Sequence, residues 1–307
     1  DDSRPAQTPR QVNVALTVTL PEPENVHSLA RSYTDSEIRN VDVLVFDEDG
    51  KFMERVKVDG GELTPSGTEI SFSIRLDATS KRRVIHLVTN GRTPDGVTDR
   101  LNFGDVTPAM LESVAMLALK TSTFTGTLVD NVMPLIMWGR VELPTGINIV
   151  TNADNVKLLR AVACVQVKKG AVDATNGLND FTVQSITVNK GADCGYLTPT
   201  NYSTTVTPVT GRPLSGSTLN YANGWSDGET PSLYIYERNC TSGDYMGVII
   251  KAMYKGKEGY YKVVMVDNGG TPLNVVRNHR YIITVVSVNG PGYASVTDAI
   301  NFAPSNA

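Results

Sequence analysis

Near the start of the chain, residues 12–20 (VNVALTVTL) alternate between apolar side chains and polar or small ones. Side chains two residues apart point to the same face of a β-strand, so the alternation gathers the large aliphatic groups on one face. They are Val12, Val14, Leu16, Val18 and Leu20. The pattern predicts a strand with one face buried in a core.

Three other segments of the first half have strand patterns. Residues 70–76 alternate in the same way, whereas residues 41–46 (VDVLVF) and 84–90 (VIHLVTN) are nearly all apolar. Continuous apolar runs are typical of strands buried on both faces, so we expect these two at the centre of a sandwich. Asp-Gly and Asn-Gly turn pairs follow them, which favours antiparallel strands joined by hairpins.

One helix is predicted in the first half, ending near Lys120. Thr107 suits its N-cap and Pro108 its first helical position. The predicted apolar stripe consists of Leu111, Val114, Ala115 and Ala118.

A second set of strand-like runs begins near residue 158. The runs are residues 158–167, 181–189, 233–237, 247–254, 260–266 and 280–288. They are rich in the β-branched and aromatic residues that sheets favour. Segment 144–155 has the composition of a connector. We therefore predict an all-β chain of two β-sandwich domains, residues 1–152 and 153–307, with a short helix in the first.

Composition excludes several classes of function. The 307 residues are 40% hydrophobic, which suffices for two cores. A net charge of −4 offers no basic surface to nucleic acid, so no nucleic-acid partner is expected. No stretch approaches the roughly 18 consecutive apolar residues of a membrane helix. We therefore expect no transmembrane span.

No catalytic, cofactor or metal-binding motif is present. The sequence has no phosphate-cradling glycine loop and no G-x-S-x-G elbow. Acidic residues 47–49 lack the later ligands of a calcium loop and are predicted to form a hairpin turn. The cysteines, which lack zinc-site spacing, are Cys164, Cys194 and Cys240. The histidines are His27, His86 and His279, of which the last two are expected to pack or hydrogen-bond within strands.

Aromatic residues of the second half raise one ligand hypothesis. Tyr234 and Tyr236 share a face of a predicted strand, and Trp225 precedes them. Such rings stack on sugars, so the three are candidate ligand aromatics. The alternative is ordinary packing within the sheet, where aromatic residues are common.

Seven motifs, in order along the chain, resemble those of the fimbrillin family of Bacteroidales pilus proteins. They are residues 12–20, 38–50 (IRNVDVLVFDEDG), 84–90, 133–139 (MPLIMWG), 158–167 (LLRAVACVQV), 233–239 (LYIYERN) and 277–292 (RNHRYIITVVSVNGPG). The resemblance implies two tandem transthyretin-like or Ig-like sandwich domains. It also implies export as a lipoprotein precursor, whose leader is missing from this sequence, and a place in the fimbrium at the cell surface.

The resemblance further implies assembly by strand exchange. An arginine-specific protease removes the segment that includes the first strand, and the groove accepts a strand from a neighbouring fimbrial subunit. The equivalent bond here is Arg31-Ser32, with Arg39 as the second candidate. Host or bacterial surface proteins or glycans are further expected partners.

The residues give this expectation a physical basis. The first strand is joined to the next by nearly twenty residues without a strand or helix pattern, which is long for a hairpin. Burying its five aliphatic side chains contributes roughly 8 to 15 kcal/mol as an upper bound, which rivals the net stability of a domain. A sandwich without this strand exposes an apolar groove that another chain can fill. The alternative is a plain exposed loop with solvated arginines.

The end of the sequence bears on the position of the protein within the fimbrium. The final residues, 293–307, have sparse apolar positions without alternation, so they make a poor donor strand. This favours an accessory or tip subunit that accepts a donor without offering one. A membrane-anchor subunit, which keeps its first strand, and a surface carbohydrate-binding module are the alternatives.

Overall fold

The computed structural model of the protein describes residues 10–21, 37–120, 133–192, 195–203, 218–221 and 232–305. The described chain forms two compact units. Unit 1 holds residues 10–21, 38–119 and 136–159, and unit 2 holds the rest, chiefly residues from 160 onward. Both are built from β-sheets, which confirms the all-β fold class. Among the described residues, no helix is long and apolar enough to cross a membrane.

Unit 1 is a sandwich of a four-stranded and a five-stranded sheet. Its strands are β1 (Gln11–Thr19), β2 (Asn40–Phe46), β3 (Phe52–Asp59), β4 (Thr64–Ser66), β5 (Glu69–Asp77), β6 (Arg83–Thr89), β7 (Met137–Leu143), β8 (Asn152–Lys157) and β9 (Leu159–Arg160). The four-stranded sheet has the order β4-β5-β1-β8, and the five-stranded sheet has the order β3-β2-β6-β7-β9. As predicted, β2 and β6 are neighbours inside a sheet, and every residue of both is buried.

The segment between β6 and β7 covers the outer face of the five-stranded sheet. Phe52 donates its backbone N–H to the carbonyl oxygen of Met110 over 2.8 Å, and the Arg55 guanidinium lies 3.5 Å from the centre of the Phe103 ring. This cover explains why β2 and β6 are buried on both faces. The acidic run after β2 is the predicted hairpin turn, in which Gly50 donates to the carbonyl oxygen of Asp47.

The predicted helix begins later than expected. Helix α1 spans Glu112–Ala118, and its N-cap is Leu111 instead of Thr107. The predicted stripe is right at Ala115 but wrong at Leu111 and Val114, which are exposed, and the other buried positions are Met116 and Leu119. The reason is that residues 108–109 form a turn, in which Ala109 has a left-handed backbone conformation with φ of 67° and donates its N–H to the carbonyl oxygen of Phe52.

Segment 144–155, predicted as a connector, contributes a strand. β8 begins at Asn152 and pairs in parallel with β1. The expectation of antiparallel strands in the first half is therefore wrong at this pair, and a second parallel pair occurs in unit 2. Asn155 has a left-handed backbone conformation, with φ of 60°, at a shift in the β1–β8 register. This irregularity hides the strand from a search for alternation.

Unit 2 contains two further sheets, of three and four strands. Their strands are β10 (Ala163–Lys169), β11 (Phe181–Ala192), β12 (Thr218–Tyr221), β13 (Ser232–Ile235), β14 (Gly247–Tyr254), β15 (Lys257–Val264) and β16 (Arg280–Val285). The orders are β13-β10-β16 and β12-β11-β14-β15. One apolar cluster lies between them, with Val165, Ile186 and Ile250 among its fully buried members.

The final described residues fold back onto β15. Tyr293 pairs with Tyr260, and a helix, α2 (Val296–Asn301), follows with Ser295 as its N-cap. The Lys262 ammonium donates to the carbonyl oxygen of Ile300 over 2.8 Å. This helix was not predicted from the sequence.

Candidate functional site

β1 lies in the interior of the four-stranded sheet, between β5 and β8. All nine of its residues pair antiparallel with β5, from Gln11 opposite Asp77 to Thr19 opposite Glu69. The parallel ladder with β8 is shorter, running from Ala15 opposite Asn152 to Thr19 opposite Lys157. Although β1 comes first in the chain, it therefore occupies a central position in its sheet.

The inward face of β1 is completely apolar. Val14, Leu16 and Val18 are fully buried and Val12 is 7% exposed, whereas Leu20, after the strand, is only partly buried. Four buried side chains, instead of the five predicted, contribute roughly 6 to 12 kcal/mol as an upper bound. That still compares with the net stability of a whole domain, about 5 to 15 kcal/mol.

The groove that holds β1 has apolar walls. On the β5 side they are Ile70, Phe72, Ile74 and Leu76, and on the β8 side Ala153 and Val156. Val43, Ile85 and Leu87 of the facing sheet belong to the same cluster. None of these described wall residues carries a charge, so a strand with regularly spaced aliphatic side chains fits the groove.

The backbone of the two flanking strands depends on β1. The other partner of β5 is β4, which pairs with only its first three residues, Glu69 to Ser71. β8 pairs with no other strand in the described part of its sheet. Loss of β1 would leave two rows of backbone donors and acceptors facing an empty slot, and such rows are a template for another strand.

A buried polar cluster lies on the far face of the five-stranded sheet. The Trp138 indole donates to Nδ1 of His86 over 2.9 Å, and Nε2 of His86 lies 2.7 Å from Oε1 of Glu112 in α1. Because an indole N–H can only donate, Nδ1 of His86 carries no proton and Nε2–H donates to Glu112. His86 thus hydrogen-bonds within the sheet, as expected, in its neutral form.

The electrostatics of this cluster follow from its burial. Burial lowers the pKa of His86, against the opposing effect of the Glu112 carboxylate. Burial alone would raise the pKa of Glu112, but hydrogen bonds from His86 and Arg140 outweigh it and lower that pKa to about 2. Arg140 donates to Oε1 of Glu112 over 2.7 Å. The ionised Glu112 carboxylate therefore links α1 to β6 and β7 through its hydrogen bonds with His86 and Arg140.

The two processing candidates have different positions. Arg39 is exposed, and its backbone N–H donates to Oδ1 of Asn90 over 2.8 Å. The next residue, Asn40, is fully buried at the start of β2, and its side-chain amide donates to the carbonyl oxygen of Thr93. Arg31 and Ser32 lie outside the described residues.

The candidate ligand aromatics are not exposed. Tyr234 is 2% exposed and Tyr236 is 5% exposed, and every residue of β13 is buried. A Cβ atom on Gly195 would lie 2.7 Å from the Tyr236 ring, so this glycine lets the backbone pack directly against the ring. Neither tyrosine offers a ring face to a sugar, and Trp225 lies outside the described residues.

The remaining candidate side chains that the structure describes form no reactive site. Cys164 is buried and Cys240 is half-buried, and burial raises the pKa of the Cys240 thiol. His279 lies just before β16 and not within a strand, and its Nδ1 lies 2.9 Å from the carbonyl oxygen of Arg277. Within the described parts of the chain, no group of three or more His, Cys, Asp or Glu side chains is placed to hold a metal. Cys194 and His27 are not among the described residues.

The fold and the groove define an all-β structural protein whose first sandwich is completed by its N-terminal strand. The chain belongs to the family of fimbrillin-A associated anchor proteins Mfa1 and Mfa2, whose model matches residues 5–297. This confirms the resemblance to fimbrillins drawn from the seven motifs. The members of this family are structural proteins of fimbriae and not enzymes.

Individual relatives agree with this membership. The chain is 25% identical over 295 residues to the major fimbrium tip subunit FimE of Porphyromonas gingivalis. That match covers 91% of this chain but 48% of the relative, so the chain spans about half the length of the curated relatives it matches.

Solved structures support the fold. A fimbrial assembly protein of Parabacteroides distasonis has a TM-score of 0.59 at 16% identity, with 90% of this chain and 92% of that chain covered. The tip fimbrial protein Mfa3 of Porphyromonas gingivalis has a TM-score of 0.55 at 14% identity, with 91% and 96% covered. The chain is a protein of the cell-surface fimbrium.

Proposed function

We propose that this fimbrial protein accepts a β-strand from a neighbouring subunit after proteolysis releases β1. The observation that carries the proposal is the interior position of β1 in its sheet, combined with its place before every other described strand of unit 1 in chain order. The segment between β1 and β2 is therefore the connection from β1 to all the other described strands of unit 1. One cut in that segment leaves β1 held by non-covalent contacts alone.

The cut is proposed at Arg31-Ser32 rather than after Arg39. A protease must draw an extended piece of substrate backbone into its own cleft, so cleavage depends on how the surrounding backbone is paired. The residues after Arg39 enter β2, which pairs with β3 and β6 and is buried throughout. Cutting there requires β2 to leave the sheet, whereas Arg31 lies in the long segment without strand or helix pattern.

Digestion with an arginine-specific protease tests this step. Mass spectrometry of the wild type and of Arg39→Gln should find a cut after Arg31, and Arg31→Gln should prevent that cut. The cut protein, but not the intact protein, should then bind a fluorescein-labelled synthetic peptide of residues 11–20 at one peptide per chain. No cut between residues 21 and 39, or equal peptide binding by intact protein, would contradict the proposal.

An accessory or tip position is proposed over a stalk position. Residues 293–305 are packed on β15 through the Tyr293–Tyr260 pair, α2 and the Lys262 contact, so extending them as a donor would break these contacts. The tip role in the names of the matched relatives points the same way. Export as a lipoprotein precursor, and adhesion to surface proteins or glycans, are part of the proposal.

The family name favours a second candidate, a fimbrial anchor that retains β1 permanently. The two roles differ in one measurable property. An accessory or tip subunit should carry Ser32 as its first residue in native fimbriae, whereas an anchor should keep residues 12–20 and stay with the membrane fraction. Peptide mapping of fractionated cells, with and without the arginine-specific protease, separates the two.

A further inference from the structure

The two halves of β1 are held unequally. Residues 15–19 pair with both β5 and β8, but residues 11–14 pair with β5 alone, because the β8 ladder begins at Ala15. A strand half with one ladder has about half the backbone hydrogen bonds of a half with two. Once the chain is cut, β1 should therefore open first at its Gln11 end.

A turn with two exposed aliphatic side chains precedes β8, whose ladder with β1 begins where this weaker half ends. The chain approaches the turn through Ile147, which pairs with Thr79, just beyond β5 at the Gln11 end of β1. It leaves the turn at Asn152, opposite Ala15. The turn between these points therefore joins the Gln11 end of the sheet to the start of the β8 ladder.

The conformation of the turn is fixed by hydrogen bonds. Asn148 donates its N–H to Oγ1 of Thr151 over 2.8 Å, and its Oδ1 accepts from Val150 N–H over 2.9 Å. The backbone of Thr151 closes the turn onto the carbonyl oxygen of Asn148. Within this frame Ile149 is 71% exposed and Val150 is 77% exposed. Because hydrogen bonds hold the turn, its two adjacent β-branched side chains remain exposed to water, where an apolar segment of another chain can contact them.

We propose that Ile149 and Val150 form a docking point for the incoming strand, which replaces β1 from its Gln11 end. This inference rests on the proposed function. Its occupant is the extended donor segment of a neighbouring subunit, with alternating apolar side chains. The end of that segment contacts the turn while the singly paired half of β1 is open, and it then pairs progressively along β5 towards the doubly paired half. The turn is followed directly by β8, one wall of the groove, so a strand held at the turn is close to its final site.

The test measures how fast a strand exchanges. Full-length chain cut by the arginine-specific protease is mixed with excess synthetic peptide of residues 11–20, labelled at its C-terminus, and binding is followed by fluorescence anisotropy. Replacing both residues, Ile149→Ser with Val150→Ser, should slow exchange about fivefold to tenfold through the lost apolar contact, with unchanged final occupancy. The matched control is Val97→Ser, which removes an equally exposed aliphatic side chain, 73% exposed, from another turn of unit 1.

Peptide variants test the direction of replacement. Val12→Ser in the peptide should lower the rate of entry, whereas Val18→Ser should mainly speed release of the bound peptide. Equal entry rates for the double turn variant and wild type, or a slower entry caused by Val18→Ser alone, overturn the inference and leave the proposed function intact. Absence of exchange in every cut sample overturns both.

Discussion

β1 is the first described strand of unit 1 and β16 the last described strand of unit 2, yet they contribute differently to their cores. β1 lies inside its sheet, and the aliphatic side chains of its inward face are buried. β16 is an edge strand without a fully buried residue, and its Ile282 is 50% exposed. A cavity of about 700 Å³ beside β16 is lined by Ile283, Val285 and Tyr261, among others.

The two strands differ in how much of the stability of their unit depends on them. Removing an interior strand withdraws its buried side chains and two ladders from the core, whereas removing an edge strand withdraws partly exposed side chains and one ladder. Unit 1 therefore depends on a terminal strand much more than unit 2 does. In a protein assembled by strand replacement, the contacts through which β1 stabilises unit 1 are also the contacts that bind the replacing strand. The stability of unit 1 must therefore depend strongly on the strand in this position.

Equivalent truncations should have unequal effects on the two units. Leu16→Ala should lower the free energy of unfolding of unit 1 by about 2 to 5 kcal/mol, because it leaves a cavity in a closed core. Ile283→Ala in β16 should cost unit 2 only about 1 kcal/mol, since that side chain is already partly in water. Urea titration followed by hydrogen exchange and mass spectrometry gives each unit its own transition. Equal losses would contradict the comparison.

Acid should weaken unit 1 through His86. The pKa of His86 is lowered by burial below its ordinary 6.5, so the unfolded chain takes up a proton that the folded chain does not. The free energy of unfolding should therefore fall as the pH drops below about 6.5, by up to roughly 1.4 kcal/mol per pH unit. Glu112, with its pKa lowered from 4.5 to about 2, should add a further loss between those values.

Thermal melts of unit 1 between pH 7 and 5 measure this slope. His279→Asn, which changes a histidine of unit 2, is the matched control and should leave the slope of unit 1 unaltered. A flat profile for wild-type unit 1 over this range would show that His86 does not resist protonation.

The cap of α2 offers a smaller and more local effect. Oγ of Ser295 accepts from the backbone N–H of Asp298 over 3.1 Å. Ser295→Ala should destabilise the tail by about 1 kcal/mol, which faster amide exchange in residues 296–302 would reveal. Amides of β1 should be unchanged. Accelerated exchange across all of unit 2 would mean that the tail is part of its core.

The smallest effect is expected on the outer face of β16. Ile282→Ser changes a half-exposed side chain at a sheet edge, so the free energy of unfolding should move by less than about 0.5 kcal/mol. Chemical denaturation of this variant beside Ile283→Ala compares the two faces of one strand. A loss as large as that of Ile283→Ala would show that the outer face is covered in solution.

Much of the fold could be predicted because burial imposes periodicity. The alternation of residues 12–20 and the apolar runs of β2 and β6 correspond to one-sided and two-sided burial. α1 and β8 were misjudged because tertiary contacts override local pattern there. The backbone bond from Ala109 to Phe52 delays the helix, and the left-handed Asn155 breaks the alternation of β8.

The groove was only half predictable. Its occupant, β1, was evident from side-chain alternation, but its neighbour β8 comes from a distant segment, and a parallel ladder leaves no turn signal in the sequence. Spacing placed Tyr234 and Tyr236 on one face of a strand, but spacing does not reveal whether that face is covered, and both side chains are buried. The Ser-x-x-Asp spacing at Ser295, typical of a helix N-cap, was the one available signal for α2.

Hydrogen exchange of β5 and β8 in the protease-cut protein, after β1 has been washed out in mild denaturant, tests the central claim most directly. The account predicts that amides of these two strands lose protection while those of unit 2 keep theirs, and that added peptide of residues 11–20 restores the protection. Unchanged protection of β5 and β8 without β1, or protection that the peptide does not restore, would contradict it.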